Sequence, residues 1–289
     1  MQHYSNTFLS LFFALFVSLL YLGGCDDPET APAYIYIDTV SLNTTATQGS
    51  NSQGIKTVWL SLNGQSLGAY ELPTTIPILA NGAQEIVVEA GIANSGVLSN
   101  RVKYPFYRPQ AYTLDLVPLQ TLALSPEFDY QTDVVFDLIN DFEFGYNFSV
   151  LTGDESQVNI IDNPSLVFEG EHSLHAQTYG GSDAFALVSN ESYGLPIANA
   201  PVYVEMNYRC EAPFYVTLRG FNAAFTQQAN LRLQVNAKDT WNKIYIDVEP
   251  MISELTGNFD FFQVVIGAEL PDSLQQAHYW FDNIKLVHQ

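Results

Sequence analysis

The chain has 289 residues, 47% of them apolar, so it is a folding sequence with enough length for two cores. Ten Lys and Arg stand against 31 Asp and Glu, a formal net charge of -21, and the interval between Arg108 and Arg209 holds fifteen acids and no base. Such a surface repels phosphate backbones and anionic headgroups, which argues against nucleic acid as a partner. The carboxylates either suit a hard cation such as Ca²⁺ or simply keep the surface solvated.

In chain order, Phe8 to Leu22 comes first, reading FLSLFFALFVSLLYL without a charge. It is short for a membrane span, which needs roughly 20 residues, and matches the apolar core of a secretory signal peptide. The segment before it, MQHYSNT, carries no Lys or Arg. Leu22-Gly23-Gly24-Cys25 resembles the lipobox of bacterial lipoproteins. That resemblance implies a signal peptide over 1–24, acylation of Cys25, a lipidated tether over 25–32 and a membrane as partner, held by two or three acyl chains. The other reading is a signal peptide cut nearby, with an ordinary Cys25. Asp26-Asp27-Pro28-Glu29 resembles the acidic run that directs some lipoproteins to the outer face of the outer membrane. In other bacteria Asp at that place retains the protein in the inner membrane. The expected location is the bacterial outer membrane, lipid-anchored and facing the cell exterior. With Cys25 consumed, Cys210 has no internal disulfide partner.

Residues 33–107 read as short strands without helical periodicity. AYIYIDTVSL alternates, and TVWLSL-NG-QSLGAYEL is a hairpin with Asn63-Gly64 in a type I′ turn. A second strand pair is expected around Asn81-Gly82, and RVKYPFY closes the set. About six strands in this span predict a small immunoglobulin-like sandwich by architecture alone. Trp59, alternating with Val58 and Leu60, is expected in its core. Residues 108–132, with prolines at 109, 118 and 126 and apolar alternation in YTLDLVPL, are expected as a connector, a strand or extended arm packed between the two domains.

Residues 133–289 carry recurring strands from SLVFEG to YWFDNIKLVH, with one short helical turn in IDVEPMISEL. Nine or more antiparallel strands fit a jelly roll, so the fold class is all-β: an immunoglobulin-like β-sandwich followed by a β-jelly-roll domain. Three places, FDLINDFEFG, VFEGEHSLHAQ and YWFDNIKLV, resemble the jelly-roll carbohydrate-binding modules of bacterial polysaccharide-degrading systems. The layout also resembles surface lipoproteins of glycan uptake. The resemblance implies a structural Ca²⁺ held by Glu143 and Asp282, with Gly170 or Glu171 adding an oxygen; the alternative is that Asp282 hydrogen-bonds a loop and Glu143 is solvated. It also implies sugar rings laid on exposed aromatics. Tyr179, Tyr193, Phe214, Tyr215, Phe221 and Phe225 are the candidates, with Asn222, Gln227 and Gln228 as amide donors. Any one of these rings also suits a sandwich core.

Catalytic chemistry has little support. His172 and His175 fall on opposite faces of a strand, too poorly placed to share a metal. No Ser-His-Asp or Cys-His arrangement is suggested. Paired carboxylates such as Asp141/Glu143 and Glu169/Glu171 arise by chance among so many acids. The expected function is therefore a non-catalytic, membrane-anchored glycan-binding lipoprotein. The alternatives are a structural, adhesive or accessory lipoprotein that works with other envelope proteins, and, last, a glycoside-active enzyme.

Overall fold

A computed structural model describes residues 31–197, 199–224, 228–255 and 259–289. The apolar leader, Cys25, most of the tether, Phe225 and Gln227 lie outside these residues. The described chain is all-β, with strands throughout, one short α-helix and a 3₁₀ turn at Glu155–Gln157.

The N-terminal strands are β1 (Ala33–Ile37), β2 (Ser41–Asn43), β3 (Thr57–Leu62), β4 (Gln65–Glu71), β5 (Thr74–Ile78), β6 (Gly82–Ala93), β7 (Arg101–Lys103), β8 (Gln110–Leu116), β9 (Thr121–Ala123) and β10 (Glu127–Asp129). β3 and β4 form the expected hairpin, with Asn63 and Gly64 both at positive φ. β3 continues antiparallel to β6, which carries β7 and β8 on its far side. β5 does not pair with β6 across Asn81-Gly82. It joins β1 in a second sheet, where Ile76 and Ile78 face the same interior as Ile35 and Ile37. Period-2 burial explains the core: Val58, Leu60, Ile86 and Val88 close it from the opposite sheet. Trp59 takes the other parity and sits half-buried on the outside of its sheet, with Lys103 Nζ 5.6 Å from its ring. The stretch expected as a connector supplies three strands: β8 on β6, β9 parallel to β1 and β10 parallel to β2.

The C-terminal strands are β11 (Val135–Asn140), β12 (Phe148–Thr152), β13 (Val158–Ile161), β14 (Ser173–Tyr179), β15 (Ala184–Ser189), β16 (Val202–Cys210), β17 (Phe214–Phe221), β18 (Gln228–Val235), β19 (Lys238–Asp247), β20 (Phe261–Glu269) and β21 (Gln276–His288), with helix α1 (Glu249–Leu255) after β19. They build two sheets. One runs β13-β14-β21-β16-β19, with β11 also on β21; the other runs β12-β15-β20-β17-β18. Their inner faces share one core, in which Phe185 meets Tyr279 and Phe214 meets Phe281 edge-on at 5.3 and 5.1 Å. This is the sandwich that the strand count predicts. The expected strand in SLVFEG is instead a turn, tied by the Phe168 N–H donating to Ser173 Oγ at 3.1 Å.

β21 has three partners. It pairs with β14 along Gln276–Phe281, with β11 along Ile284–His288, and with β16 on its other edge. Where β14 hands over to β11 the alternation breaks: Phe281 and Ile284 both enter the core, and Asn283 sits at φ 50.

The outer face of the β16–β19–β21 region is not free. It packs against the N-terminal sheets through Tyr203, Tyr245 and Val287, which join the N-terminal core with Tyr104, Phe106, Tyr107 and Tyr130. At the centre Glu205 is fully buried. It accepts hydrogen bonds from Tyr104 Oη at 2.6 Å and Tyr130 Oη at 2.8 Å, and Lys243 Nζ lies 3.1 Å from its other oxygen. Lys285 Nζ, also buried, donates to the Ser50 carbonyl at 2.7 Å. Burial pushes the Glu205 carboxyl up, but Lys243, Lys285 and the two tyrosine hydroxyls outweigh it and hold it below the usual carboxylate range.

Candidate functional site

The second C-terminal sheet, β12-β15-β20-β17-β18, has an outer face without a partner sheet among the described residues. Strand periodicity fixes what it displays. In β17, Phe214, Val216 and Leu218 are buried in the core, so Tyr215, Thr217, Arg219 and Phe221 point outward. In β20 the outward set is Phe261, Gln263, Val265 and Gly267; in β18 it includes Asn230, Arg232 and Gln234. Register brings these together. Thr217 stands between Arg232 and Val265, Arg219 between Asn230 and Gln263, and Tyr215 between Gln234 and Gly267.

Gly267 explains the pose of Tyr215. A Cβ there would lie 2.6 Å from the Phe185 carbonyl oxygen and 2.7 Å from Tyr215 Cζ and Oη, so glycine lets both the adjoining backbone and the tip of the Tyr215 side chain come close to β20. Arg232 brings its guanidinium carbon within 5.1 Å of the ring centre. Beside Tyr215 lies a shallow cleft of about 410 Å³, with Ala186, Thr217 and Val265 as a floor of small side chains and Leu151, Thr152, Arg219, Asn230 and Arg232 around them. A second cleft of about 550 Å³ continues past Tyr215 and Arg232 toward Glu269, Pro271 and Asp272. Arg232 Nη1 lies 3.1 Å from Glu269, an exposed pair of the kind that contributes little to stability. Burial, reinforced by Glu269 and opposed by Arg232, raises the Tyr215 hydroxyl above its usual range, so it is a neutral hydrogen-bonding phenol at physiological pH. An aromatic ring, two guanidiniums, an amide and hydroxyls on one open face can bind; no nucleophile with an attendant base stands among them.

Of the ring candidates, Tyr215 and Phe221 lie on this face, half-buried. Phe214 and Tyr193 do not: they are 1% and 8% exposed and fill the core, because strand parity turns Phe214 inward and Tyr193 is bridged to Phe262 behind the sheet. Tyr179 ends β14, in the other sheet, and so cannot join them. Asn222 follows Phe221 at the end of β17. Arg219, Arg232, Asn230, Gln263 and Phe261 were not expected. The signal was present in FYVTLRGF, where Thr and Arg share the parity of Tyr215 and mark the outward side.

The calcium candidates meet on one loop. Glu143 accepts from the backbone N–H groups of Glu171 at 2.9 Å and His172 at 3.2 Å. Burial raises its carboxyl, but these donors outweigh it and leave it lowered. Gly170, at φ +68, is required here, since a Cβ would fall 2.0 Å from Glu143 Oε1. Glu171 thus contributes its N–H, and its side chain is exposed. From the other side Asp282, fully buried, accepts from Ser173 Oγ at 2.6 Å and the Asn283 N–H at 2.8 Å. Burial pushes its carboxyl up to about 7. Beside it, both polar atoms of the Asn283 side chain are buried without a partner. No group of three or more His, Cys, Asp or Glu is placed to hold one ion among the described residues. The fit to calcium is therefore partial: a buried carboxylate and an orphaned amide, with Glu143 engaged by N–H donors.

His172 and His175 part company as expected. His172 turns to Glu143, and His175 Nε2 lies 3.0 Å from His278 Nδ1, beside Trp280. Burial and then His278 hold His175 down to about 4. Cys210 is buried, its thiol pushed up to about 11 by burial, and is unreactive on that account.

No family model and no curated protein matches the sequence. Among solved structures, the chain is similar to a family 30 carbohydrate-binding module, at 12% identity and a TM-score of 0.41, over 55% of this chain and 89% of that one. It is similar to the family 11 module of a cellulosomal cellulase of Clostridium thermocellum, at 13% identity and a TM-score of 0.39, over 55% and 97%. A family 61 module solved with β-1,4-galactotriose aligns at 14% identity and a TM-score of 0.33, over 52% and 94%.

Proposed function

We propose that the chain is a non-catalytic glycan-binding lipoprotein, anchored through Cys25 in a bacterial outer membrane and facing the cell exterior. One observation carries the binding half: Tyr215, its hydroxyl end close against Gly267, stands at the edge of an open, small-floored cleft with amide and guanidinium side chains around it. A pyranose ring has an apolar face that stacks on such a ring and a rim of hydroxyls that takes hydrogen bonds from Asn230, Arg219 and Arg232. The anchoring half rests on the LGGC sequence at residues 22–25. Calcium belongs to the proposal as a structural ion near Asp282, supported by the raised carboxyl and the orphaned Asn283 amide.

The test is a glycan array probed with the full chain in a polyoxyethylene detergent, followed by the Tyr215→Ala variant. Retention on defined glycans, lost in the variant with the melting temperature kept, supports the reading. A second reading, a rigid spacer or accessory subunit of an envelope complex, draws on the buried Tyr104–Glu205–Lys243 junction that joins the two parts. Silence across the array with a stable co-purifying envelope protein would favour it.

A further inference from the structure

We infer that the pole of the N-terminal part beside the tether is a membrane-seating surface, whose apolar tips enter the interface of the bilayer that holds the acyl chains. The inference rests on the reading that Cys25 is acylated. Six residues lead from Cys25 to Ala31, and that many reach at most about 22 Å. An acylated Cys25 therefore holds whatever surrounds Pro32 close to the lipid surface.

Pairing fixes what surrounds it. Ala33 opens β1 opposite Ile78 at the end of β5, so Leu79 follows on one side. On the other side the Leu119 N–H donates to the Pro32 carbonyl and the Tyr34 N–H to the Gln120 carbonyl, both at 2.8 Å. Gly82 stands opposite Leu116, which brings Val117 to the same end. Leu79 is 72% exposed, Leu119 74% and Val117 42%.

Two observations separate this cluster from the scattered apolar residues of any surface. The first is missing charge. Residues 57–70, 72–84 and 116–126, which supply the turns at this end, contain no Asp, Glu, Lys or Arg, in a chain with a formal net charge of -21. Anionic headgroups repel the acidic remainder of the protein but not this pole. The second is the backbone of Leu119. The Gln120 N–H donates to the Val117 carbonyl at 3.1 Å, closing a turn with Pro118 and Leu119 at its corners, and Leu119 sits at φ 66. That corner favours glycine or asparagine, and a bulky side chain there is strained. A leucine so held and bare to water gains little from the fold; an apolar interfacial environment offsets the cost. The pole also sets the standing of the rest. β6 runs from it, at Gly82, for twelve residues or about 40 Å, and Asn94 just beyond bridges to Tyr245 in the seam with the C-terminal sandwich. Seated on this pole, the molecule presents its sandwich away from the lipid.

The experiment uses the full acylated chain in vesicles of phosphatidylethanolamine and phosphatidylglycerol doped with a nitroxide-bearing lipid. An environment-sensitive thiol fluorophore is placed by Leu79→Cys, Leu119→Cys or, as the remote position, Ser273→Cys, which is exposed just before β21 at the end away from Val287 and the seam. Cys210 is buried and stays unlabelled. The expected result is blue-shifted emission and nitroxide quenching at Leu79 and Leu119, with neither at Ser273. Leu119→Asp, read through the probe at Leu79, should lose most of that quenching while the protein still floats with the vesicles on its acyl chains. Leu119→Gly should lose quenching too, yet melt no lower than wild type, because glycine suits the turn. A lower melting temperature for Leu119→Gly would show that Leu119 serves the fold and would overturn the inference. Flotation with all three probes in water would overturn it and leave the anchoring reading standing. Probes shielded from iodide but untouched by the nitroxide lipid, with a doubled sedimenting mass, would assign the pole to a second copy and overturn it as well. Failure to float at all would overturn both readings.

Discussion

Tyr104 of the N-terminal part and Glu205 of β16 are hydrogen-bonded at 2.6 Å, Oη to Oε1, with both side chains buried. The bond crosses from one set of sheets to the other, and it brings a carboxylate with two lysines into an interior rich in tyrosines. A buried ion pair is a poor source of stability relative to an apolar core, but breaking one member is costly. Glu205→Ala strands Lys243 and Lys285 and should cost about 3–5 kcal/mol; Tyr104→Phe removes one hydrogen bond to a charge and should cost about 1.5–3 kcal/mol. Chemical denaturation checks both. Equal stability of Glu205→Ala and wild type would show that the junction does not hold the two parts together.

The same carboxyl gives a pH dependence. Its folded pKa lies below its unfolded value, so its contribution is present above the unfolded pKa of about 4.3 and is lost as pH falls through the lower, folded one. Wild type should therefore lose stability in acid more steeply than Glu205→Gln. Denaturant midpoints measured from pH 3 to 6 test this, and parallel curves would refute it.

Asp282 works in the opposite sense. Its folded carboxyl is held near 7, against about 3.9 in the unfolded chain. Between these values the folded state keeps a proton that the unfolded state has given up. Stability contributed by the protonated form is thus complete at low pH and drains away as pH rises from about 4 to 7. Asp282→Asn should abolish that decline and be the more stable protein at pH 8. Under the calcium proposal, millimolar Ca²⁺ should raise the wild-type melting temperature, more at pH 8 than at pH 5, and leave Asp282→Ala unmoved. Identical melts with calcium and with a chelator would remove the ion.

Neighbouring rings in β17 should behave unlike each other. Phe214→Ala opens the core between Tyr208 and Phe281 and should cost about 3–5 kcal/mol, with any loss of binding following from unfolding. Tyr215→Ala should leave the melting temperature within a few degrees and abolish glycan retention. Gly267→Ala would drive a methyl against the Phe185 carbonyl of the adjoining strand as well as the tip of the Tyr215 ring, so it should lower the melting temperature as well as retention. Retention unchanged in Tyr215→Ala would place the site elsewhere.

Cys25→Ala should eliminate incorporation of radiolabelled palmitate and release the protein from membranes. Protease shaving of intact cells should degrade the wild-type protein if it faces the exterior. Labelling that persists in the variant would refute acylation at Cys25.

What was legible in the sequence was local. Asn63-Gly64 announced its hairpin because a type I′ turn needs two positive φ values in adjacent residues. The strand-rich composition announced the class. Pairing between distant segments was not legible: β9 and β10 are three residues each, and nothing in them names β1 or β2 as partners. β5 went to the wrong neighbour for the same reason, since Ile76 and Ile78 fit any apolar interior. At the candidate site the residue types were readable and their facing was not. Phe214 and Tyr215 are equivalent as bare letters. Only the parity of Thr217 and Arg219, read together with the glycine opposite Tyr215 on a strand 52 residues later, tells which ring meets solvent.

β21 follows in sequence every strand it pairs with. As the chain emerges, β11, β14 and β16 must wait with open edges until Gln276–His288 arrives to zip between them. Until then neither the C-terminal sandwich nor its seam with the N-terminal sheets can close, because Lys285 and Val287 come from the same strand. A cut before Gln276 leaves β11, β14 and β16 each with an open edge prone to pair with other chains. Lateness of the central strand is thus a delay line: closure of the sandwich and of its seam waits for Gln276–His288, and a chain cut before them keeps its edges open.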